Sequence, residues 1–346
     1  MTDVVALVLL LAWVAYAIFG GADFGAGFWD LTAGGAQRGA RARSVIERSI
    51  GPVWEANHVW LIFVFVVTWT AFPEAYASIT LTLFVPLTIA ALGIVLRGAS
   101  FAFRKAVVSL GTRRAFGAAF ALSSVLVPYC MGAVAGGIAS GRVPAGGKAG
   151  DPVASWVNPT SVVAGVLAVA LAGYLAAVYL VWDARRIDDG MVDYFRRRAL
   201  VAAVVAAVTV LVGLFVVRAD ARYVFDGLTS RALPLVVLSA VSGAGALALL
   251  VRDASRGARV AAAGAVAGVI AGWGVAQWPY LLPETLTLSA AAAPSGTLWA
   301  LVVAVALAIL IVLPGFLLLY VFDQKHLLPE EGAEDVGDRT VDKPAG

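Results

Sequence analysis

The chain has 346 residues, of which 61% are hydrophobic and 14% are charged, and its mean hydropathy is +0.89. A soluble globular protein does not carry so much apolar sequence, so that class is excluded. The formal charge of +3 comes from basic residues in short segments between apolar runs, which indicates membrane topology and no nucleic-acid partner. The one cysteine, Cys130, excludes an intrachain disulfide and a multi-thiolate metal site.

Nine apolar runs are long enough to cross a bilayer as helices, and none shows the alternation of a β-barrel strand. The sequence therefore predicts an all-α polytopic membrane protein with nine transmembrane helices in a domain over residues 1–326. Residues 327–346 are acidic and contain Gly and Pro, which predicts a disordered cytoplasmic tail. The predicted spans are about 4–29, 52–73, 76–96, 115–138, 160–182, 199–217, 232–251, 259–279 and 298–322.

Lysine and arginine are distributed unequally between the two sides of this arrangement. Of the 25 basic residues, 20 lie on the side of the C-terminus and 5 on the side of the N-terminus. Because cytoplasmic loops carry an excess of Lys and Arg, the N-terminus is predicted to be outside and the C-terminus inside. The first span has no basic region before it and is expected to be retained, unlike a signal peptide.

Polar and aromatic side chains are concentrated at the start of the second span. Trp54, Glu55, Asn57, His58 and Trp60 enter one apolar segment within seven residues. On a helix, Trp54, Glu55 and His58 share a face and Asn57 lies to one side of it. Polar groups in hydrocarbon are unfavourable unless they face protein or water, so partners or a function are expected on this face.

Two further charged residues are predicted to lie at the depth of Glu55. Asp23 is near the inner end of the first span and Arg97 closes the third span on the same side. Such a layer suits proton uptake from the cytoplasm, and it equally suits a structural salt bridge between three helices; both remain open. A third alternative is that Asp23 only reaches to the inner interface.

The glycine-dense segment 20–27 around Asp23 is a poor nucleotide-binding motif, because no strand precedes it and it contains no lysine. Glycines in a membrane helix more often allow a second helix to approach closely. Residues 278–287 contain two prolines and predict an irregular turn at the outer end of the eighth span. A lipid headgroup or an isoprenoid quinone could lie there, and a plain loop is the alternative.

Histidine is too scarce for a haem held within this chain by two histidines. His58 is the only one predicted inside the bilayer, since His326 lies at the edge of the ninth span. A His and Met pair would need Met131, which is predicted toward the other end of its span. His58 is therefore a weak candidate for cofactor binding, and no metal ligands are predicted.

Several segments resemble subunit II of the cytochrome bd quinol oxidases. Residues 22–27 are similar to that family's DGFDLGxG motif, and residues 50–60 to its IGPVWDGNEVW motif, which is followed by Ala-Phe-Pro at 71–73. The resemblance covers nearly the whole chain. Further similarities follow in order at 96–104, 158–159, 278–280, 285–287 and 313–314, near Tyr320.

The resemblance implies two four-helix bundles and a peripheral ninth helix in the bacterial cytoplasmic membrane. It also implies a partner, subunit I, that holds haems b and d and the quinol site, so that this chain itself binds no haem or metal. A structural quinone and membrane lipid are further expected ligands. Glu55 is expected to relay protons from the cytoplasm toward the oxygen-reducing haem, supported by Asp23, Asn57, Arg97 and Trp54.

Some positions depart from the family motifs. Glu55 stands in place of an aspartate and keeps a titratable carboxyl group, Ala56 replaces a glycine, and His58 replaces Glu or Gln. Gly20 replaces the first aspartate of DGFDLG, which removes an acid. Two alternatives follow: a divergent paralogue that acts as a proton-coupled transporter, and a purely structural assembly subunit in which Glu55 forms a static salt bridge.

Overall fold

The computed structural model describes residues 1–35, 37–50, 54–104, 110–254 and 256–324. It divides the chain into two units, one from Met1 to Pro294 and one that begins at Ser295. Both units are built from helices, which confirms the all-helical class. The predicted tail 327–346 and His326 lie outside the described residues, so the domain boundary there stays a prediction.

The first unit contains long helices joined by shorter ones, a 3₁₀ turn (Asp189–Met191) and one strand pair. In the second unit, described by itself, the described residues form one helix, α13 (Ser295–Gln324). The helices of the first unit are α1 (Thr2–Leu31), α2 (Ala40–Ile50), α3 (Trp54–Ala71), α4 (Pro73–Thr82), α5 (Phe84–Arg104), α6 (Leu110–Ala139), α7 (Pro159–Ile187), α8 (Val192–Asp220), α9 (Arg222–Thr229), α10 (Leu233–Val251), α11 (Ala258–Gln277) and α12 (Leu288–Ala291).

Membrane-spanning helices are numerous in the described part of the chain. Six helices, namely α1, α6, α7, α8, α10 and α11, are long and apolar enough to cross a bilayer. The bent pair α4 and α5 makes a seventh if it counts as one span, while Asn57–Ala71 and Ser295–Ile311 are shorter apolar helices. A multi-pass membrane protein is therefore confirmed, whereas the count of nine crossings, the two-bundle arrangement and the orientation stay predictions.

The third predicted span, 76–96, is not one continuous helix. It is divided between α4 and α5, whose axes differ by 85° at a break around Leu83. Pro86 explains the break, because proline has no N–H for the α-helical bond to Thr82 and its ring collides with that carbonyl. The apolar length of this segment is predictable from its hydropathy, whereas the bend is not.

The break leaves α4 with a polar face that holds the loop after α6. Glycine N–H groups of the loop donate to side chains spaced one turn apart on α4, which fixes the loop against the helix. The three bonds are Gly146 to Glu74 (2.8 Å), Gly147 to Ser78 (3.0 Å) and Gly150 to Thr82 (2.9 Å).

Ion pairs join loops at both ends of the first unit. Arg41 of α2 contacts Asp188 after α7 at 2.7 Å, and the guanidinium holds the pKa of this carboxyl below its usual range. Arg142 after α6 contacts Asp220 at the end of α8 at 2.6 Å, and Thr160 donates to the same carboxylate at 2.7 Å. For each pair, the distribution of basic residues predicts that the two joined segments lie on the same side of the membrane.

The segment after α11 departs from a purely helical fold. Strands β1 (Tyr280–Leu282) and β2 (Leu286–Thr287) form a small antiparallel pair in which Tyr280 lies opposite Thr287. Glu284 turns the chain with φ of +61°. The irregular turn predicted from Pro279 and Pro283 is thus a short hairpin, because two prolines prevent α11 from continuing.

Helix α1 occupies a central place in the first unit. It packs against α3, α6, α7 and α11, while α5 packs along α6. Its buried residues are concentrated between Gly20 and Asp30, where five consecutive residues, Asp23–Gly27, are all buried. The inner part of α1 is therefore the segment from which the candidate site is built.

Candidate proton-path site

A buried ion pair joins α1 to α5. The Arg97 guanidinium donates to the Asp23 carboxylate and, at 3.0 Å, to the Asp23 backbone carbonyl. Arg97 is 2% exposed and Asp23 is 5% exposed, so both charges are removed from lipid and water. The predicted proximity of these two residues is thereby observed, and an Asp23 that only reaches to the interface is inconsistent with this burial.

Arg97 also binds α6. Its second terminal nitrogen donates to the Ser124 hydroxyl, which in turn donates to the Phe120 carbonyl at 2.7 Å. The guanidinium lies over the Phe120 ring, 4.4 Å from the centroid, and 4.8 Å from the centroid of Phe24. One arginine thus connects three helices, and two aromatic faces add cation–π attraction in a buried site.

The glycines around Asp23 make this approach possible. A Cβ on Gly27 would lie 2.1 Å from the Ser124 hydroxyl oxygen and 2.9 Å from an Arg97 nitrogen. A Cβ on Gly25 would lie 1.9 Å from the Ala172 carbonyl oxygen of α7. The glycine-dense segment therefore serves close helix packing, as expected for small residues in membrane helices.

The polar residues of α3 lie beside α1. Asn57 is 1% exposed, and its Nδ2 has no hydrogen-bond partner within the described part of the chain. His58 is partly buried and lies close enough to Asp23 and Arg97 to be affected by their charges. Trp60 stacks on Phe19 of α1 with ring centroids 6.4 Å apart. The start of α3 therefore adds an amide and an imidazole to the surroundings of the ion pair.

Two of the predicted site residues cannot be placed by their side chains. The backbone of Trp54 and Glu55 belongs to the first turn of α3, but their side chains, with residues 51–53, lie outside the described residues. The roles of Glu55 as a proton relay and of Trp54 as a supporting residue therefore stay predictions.

Ser124 and Tyr16 are members of the site that the sequence reasoning missed. Ser124 is the second of two adjacent serines in the apolar segment of α6, which was a usable signal for a polar contact inside the membrane. Tyr16 lies on α1, one turn before Gly20, and its ring occupies the space beside that glycine, 3.0 Å from where a Cβ would lie. The family motif carries its first acid at the position of Gly20. In this chain the space that such a side chain would take is occupied by the Tyr16 ring.

The expectation that this chain itself binds no metal or haem stays a prediction. Among the described residues no group of three or more His, Cys, Asp or Glu side chains could hold a metal ion. Met131, the possible axial partner for His58, is packed in an apolar cluster with Leu61, Val127 and Cys130. The described polar groups of the site include the Asp23 carboxylate, the Arg97 guanidinium and the Asn57 amide, all buried.

A separate cavity of about 390 Å³ lies between α1, α3, α4, α6 and α11 and the hairpin. Its wall is mostly apolar and includes Leu10, Trp13, Phe65 and Met131. A few polar side chains also reach it, namely Asp3, Thr68, Tyr76, Thr80, Arg231 and Gln277. A mainly apolar volume with a few polar groups is typical of a site for a small organic ligand.

Known proteins resemble this chain, over a third of its length in one case and over most of it in another. The family model for cytochrome bd terminal oxidase subunit II matches residues 1–322. A solved structure of bd oxidase from Geobacillus thermodenitrificans superposes with a TM-score of 0.78 at 26% identity, covering 92% of this chain and 97% of that one. The chain is also 29% identical over 126 residues to cytochrome bd ubiquinol oxidase subunit 2 of Bacillus subtilis (strain 168), an alignment that spans 36% of each protein. Because the family model extends over nearly the whole sequence, the chain belongs to the cytochrome bd terminal oxidase subunit II family, whose members are subunits of an oxidoreductase complex.

Proposed function

We propose that this chain is the haem-free subunit II of a bacterial cytochrome bd-type quinol:oxygen oxidoreductase in the cytoplasmic membrane. The observation that carries the proposal is the family match over residues 1–322, together with the structural likeness to a bd oxidase over 92% of the chain. The partner is a haem-bearing subunit I, which holds haems b and d and oxidises quinol. Without that partner this chain has no activity.

Within this complex the chain supplies a proton path from the cytoplasm toward the site of oxygen reduction. Glu55 receives the proton, and Asp23, Asn57, Arg97 and Trp54 position it. The buried Asp23 and Arg97 pair supports this proposal, because it fixes the local charge beside the first turns of α3. A fixed charge beside a titratable group changes how readily that group binds a proton.

The first experiment is gentle solubilisation and affinity purification of this chain from its own cells. We expect haem b and d bands in the reduced-minus-oxidised spectrum and a second subunit on the gel. Turnover of quinol with oxygen in a Glu55→Gln complex is then expected to fall by about tenfold or more, with the haem content unchanged. A single colourless chain that is stable by itself would instead favour a transporter, and normal turnover of the Glu55→Gln complex would favour an assembly subunit.

A second role, binding of a structural isoprenoid quinone, is favoured by the 390 Å³ cavity. Its size falls within the range of roughly 300–1,000 Å³ typical of small-molecule sites. The apolar wall suits an isoprenoid chain, and the side chains of Tyr76, Arg231 and Gln277 suit the carbonyl oxygens of a quinone ring. The residues present therefore fit such a ligand, whose part would be to stabilise the helices around it.

This role makes a testable prediction about quinone content. Replacing the small cavity-lining residue Ala6 by phenylalanine should fill part of the volume and lower the amount of quinone extracted from the purified complex, measured by mass spectrometry after organic extraction. Replacing Ala17, which packs in the core away from the cavity lining, by the same residue is the control for general disturbance of α1. Equal quinone content in wild-type and Ala6→Phe complexes would contradict the assignment.

A further inference from the structure

The Tyr16 side chain packs against Gly20 of the same helix, as expected for residues four apart. Its ring places Cε2 3.0 Å, Cδ2 3.2 Å and Cζ 3.5 Å from where a Gly20 Cβ would lie. Asp23 follows on the same face of α1, seven residues after Tyr16. The absence of a side chain at Gly20 gives the ring this space.

The hydroxyl of Tyr16 is buried beside charged groups. Tyr16 is 7% exposed and lies within reach of the charges of Asp23 and Arg97. In the part of the chain that is described, its oxygen has no hydrogen-bond partner, and neither does the second carboxylate oxygen of Asp23. A buried polar group without a partner is unfavourable, and two such groups on one helix face suit a shared bridging water.

On its other side Tyr16 contacts the apolar middle of the first unit. Trp13 meets the Tyr16 ring edge to face with centroids 6.3 Å apart. Tyr16 also belongs to a cluster with Leu61, Val127 and Met131. The tyrosine therefore stands at the boundary between the polar groups around Arg97 and the apolar interior, where a proton path has to continue if it goes deeper.

We propose that the Tyr16 hydroxyl is a proton-relaying group that extends the polar cluster of Asp23 and Arg97 along α1 into the membrane. The inference rests on the proposed function as a proton-conducting subunit. In each transfer the phenol oxygen accepts one proton from a neighbouring carboxylic acid or water while its own O–H proton leaves to the next acceptor. Only O–H bonds are exchanged, so no oxidant or reductant is required.

The experiment compares purified two-subunit complexes carrying Tyr16→Phe, Asp23→Asn or no substitution. Tyr16→Phe removes only the hydroxyl, and turnover per haem is expected to fall by about threefold to tenfold. The solvent deuterium isotope effect on turnover should rise in the same complex, because proton transfer becomes slower relative to the other steps. A purely structural role of the ring would change neither quantity.

The matched control is Tyr174→Phe. Tyr174 of α7 is also buried, at 4% exposed, and its hydroxyl has no partner among the described residues. It packs in the apolar core with Leu175 and Val178. We expect this variant to keep wild-type turnover. A loss of turnover in Tyr16→Phe but not in Tyr174→Phe would show that the effect depends on where the buried hydroxyl lies.

A rescue experiment separates relay from packing. In the double variant Gly20→Asp with Tyr16→Ala, the ring no longer fills the space beside residue 20, so the new carboxyl group can take it, and turnover should recover relative to Tyr16→Ala alone. Normal turnover in Tyr16→Phe with slow turnover in Asp23→Asn would overturn the role of Tyr16 and leave the proton path standing. Normal turnover in both, at full haem content, would overturn the proposed path itself.

Discussion

Replacing Arg97 by methionine is expected to destabilise the protein by about 3–5 kcal/mol, because it leaves the Asp23 carboxylate buried without its cation. Arg97 is 2% exposed and holds α1, α5 and α6 together through Asp23 and Ser124. The measurement is the unfolding midpoint of the detergent-purified complex, followed by tryptophan fluorescence. The yield of assembled complex should fall in parallel, since part of the chain fails to fold.

The control for this prediction is a charge pair of the same type at the surface. Arg222 and Asp226 form an ion pair on α9 at 3.0 Å, with both side chains more than half exposed. Arg222→Met should leave the midpoint almost unchanged, because exposed pairs contribute little. If both arginine variants had the same midpoint, the burial of Arg97 would have no energetic consequence, contrary to the structure.

A double variant distinguishes the two functions that the sequence leaves open. Asp23→Leu together with Arg97→Met replaces the buried pair by apolar side chains, which often restores stability. A complex that regains its midpoint but not its turnover would show that the pair serves proton transfer as well as packing. A complex that regains both would assign the pair to structure alone.

The long apolar segments were predictable because a membrane helix needs about 20 apolar residues, a signal that tertiary contacts do not alter. Each predicted span overlaps a helix among the described residues, although the third is divided between α4 and α5 and the eighth extends past the end of α11. The bend at Leu83 was not predicted, because an apolar run has the same hydropathy whether it is straight or broken. Helices α2 and α9 and the hairpin were missed for a related reason: they are too short or too polar to register as spans.

The candidate site was predictable to the extent that it depends on charge. Asp23 and Arg97 were identified because charged residues in apolar segments are rare, and the structure brings them into contact. Ser124 and Tyr16 were missed because serine and tyrosine are common in membrane helices and their importance depends on the direction of the side chain. That direction depends on Gly20 and Gly27, whose missing side chains become meaningful only when the neighbouring atoms are known.

Gly25 is predicted to tolerate substitution by a larger residue least of all the small residues on the inner part of α1. A Cβ there would lie 1.9 Å from the carbonyl oxygen and 2.4 Å from the carbonyl carbon of Ala172 on α7. These are backbone atoms, so the contact can be relieved only by moving the two helices apart. Gly25→Ala should therefore lower stability by about 3 kcal/mol or more, at the upper end for overpacking, even though alanine favours helix formation.

Gly21 provides a matched control one turn earlier on the same helix and against the same neighbour. A Cβ at Gly21 would lie 3.4 Å from the Leu175 Cδ1 atom and 3.9 Å from the Ala172 Cα atom, both ordinary contacts. Gly21→Ala is thus expected to stabilise the helix by about 0.5–1 kcal/mol, the opposite sign to Gly25→Ala. The measurement is the unfolding midpoint of each variant relative to the wild type, which gives the sign of the two stability changes. Shifts of the same sign would contradict the close packing of α1 on α7 at Gly25.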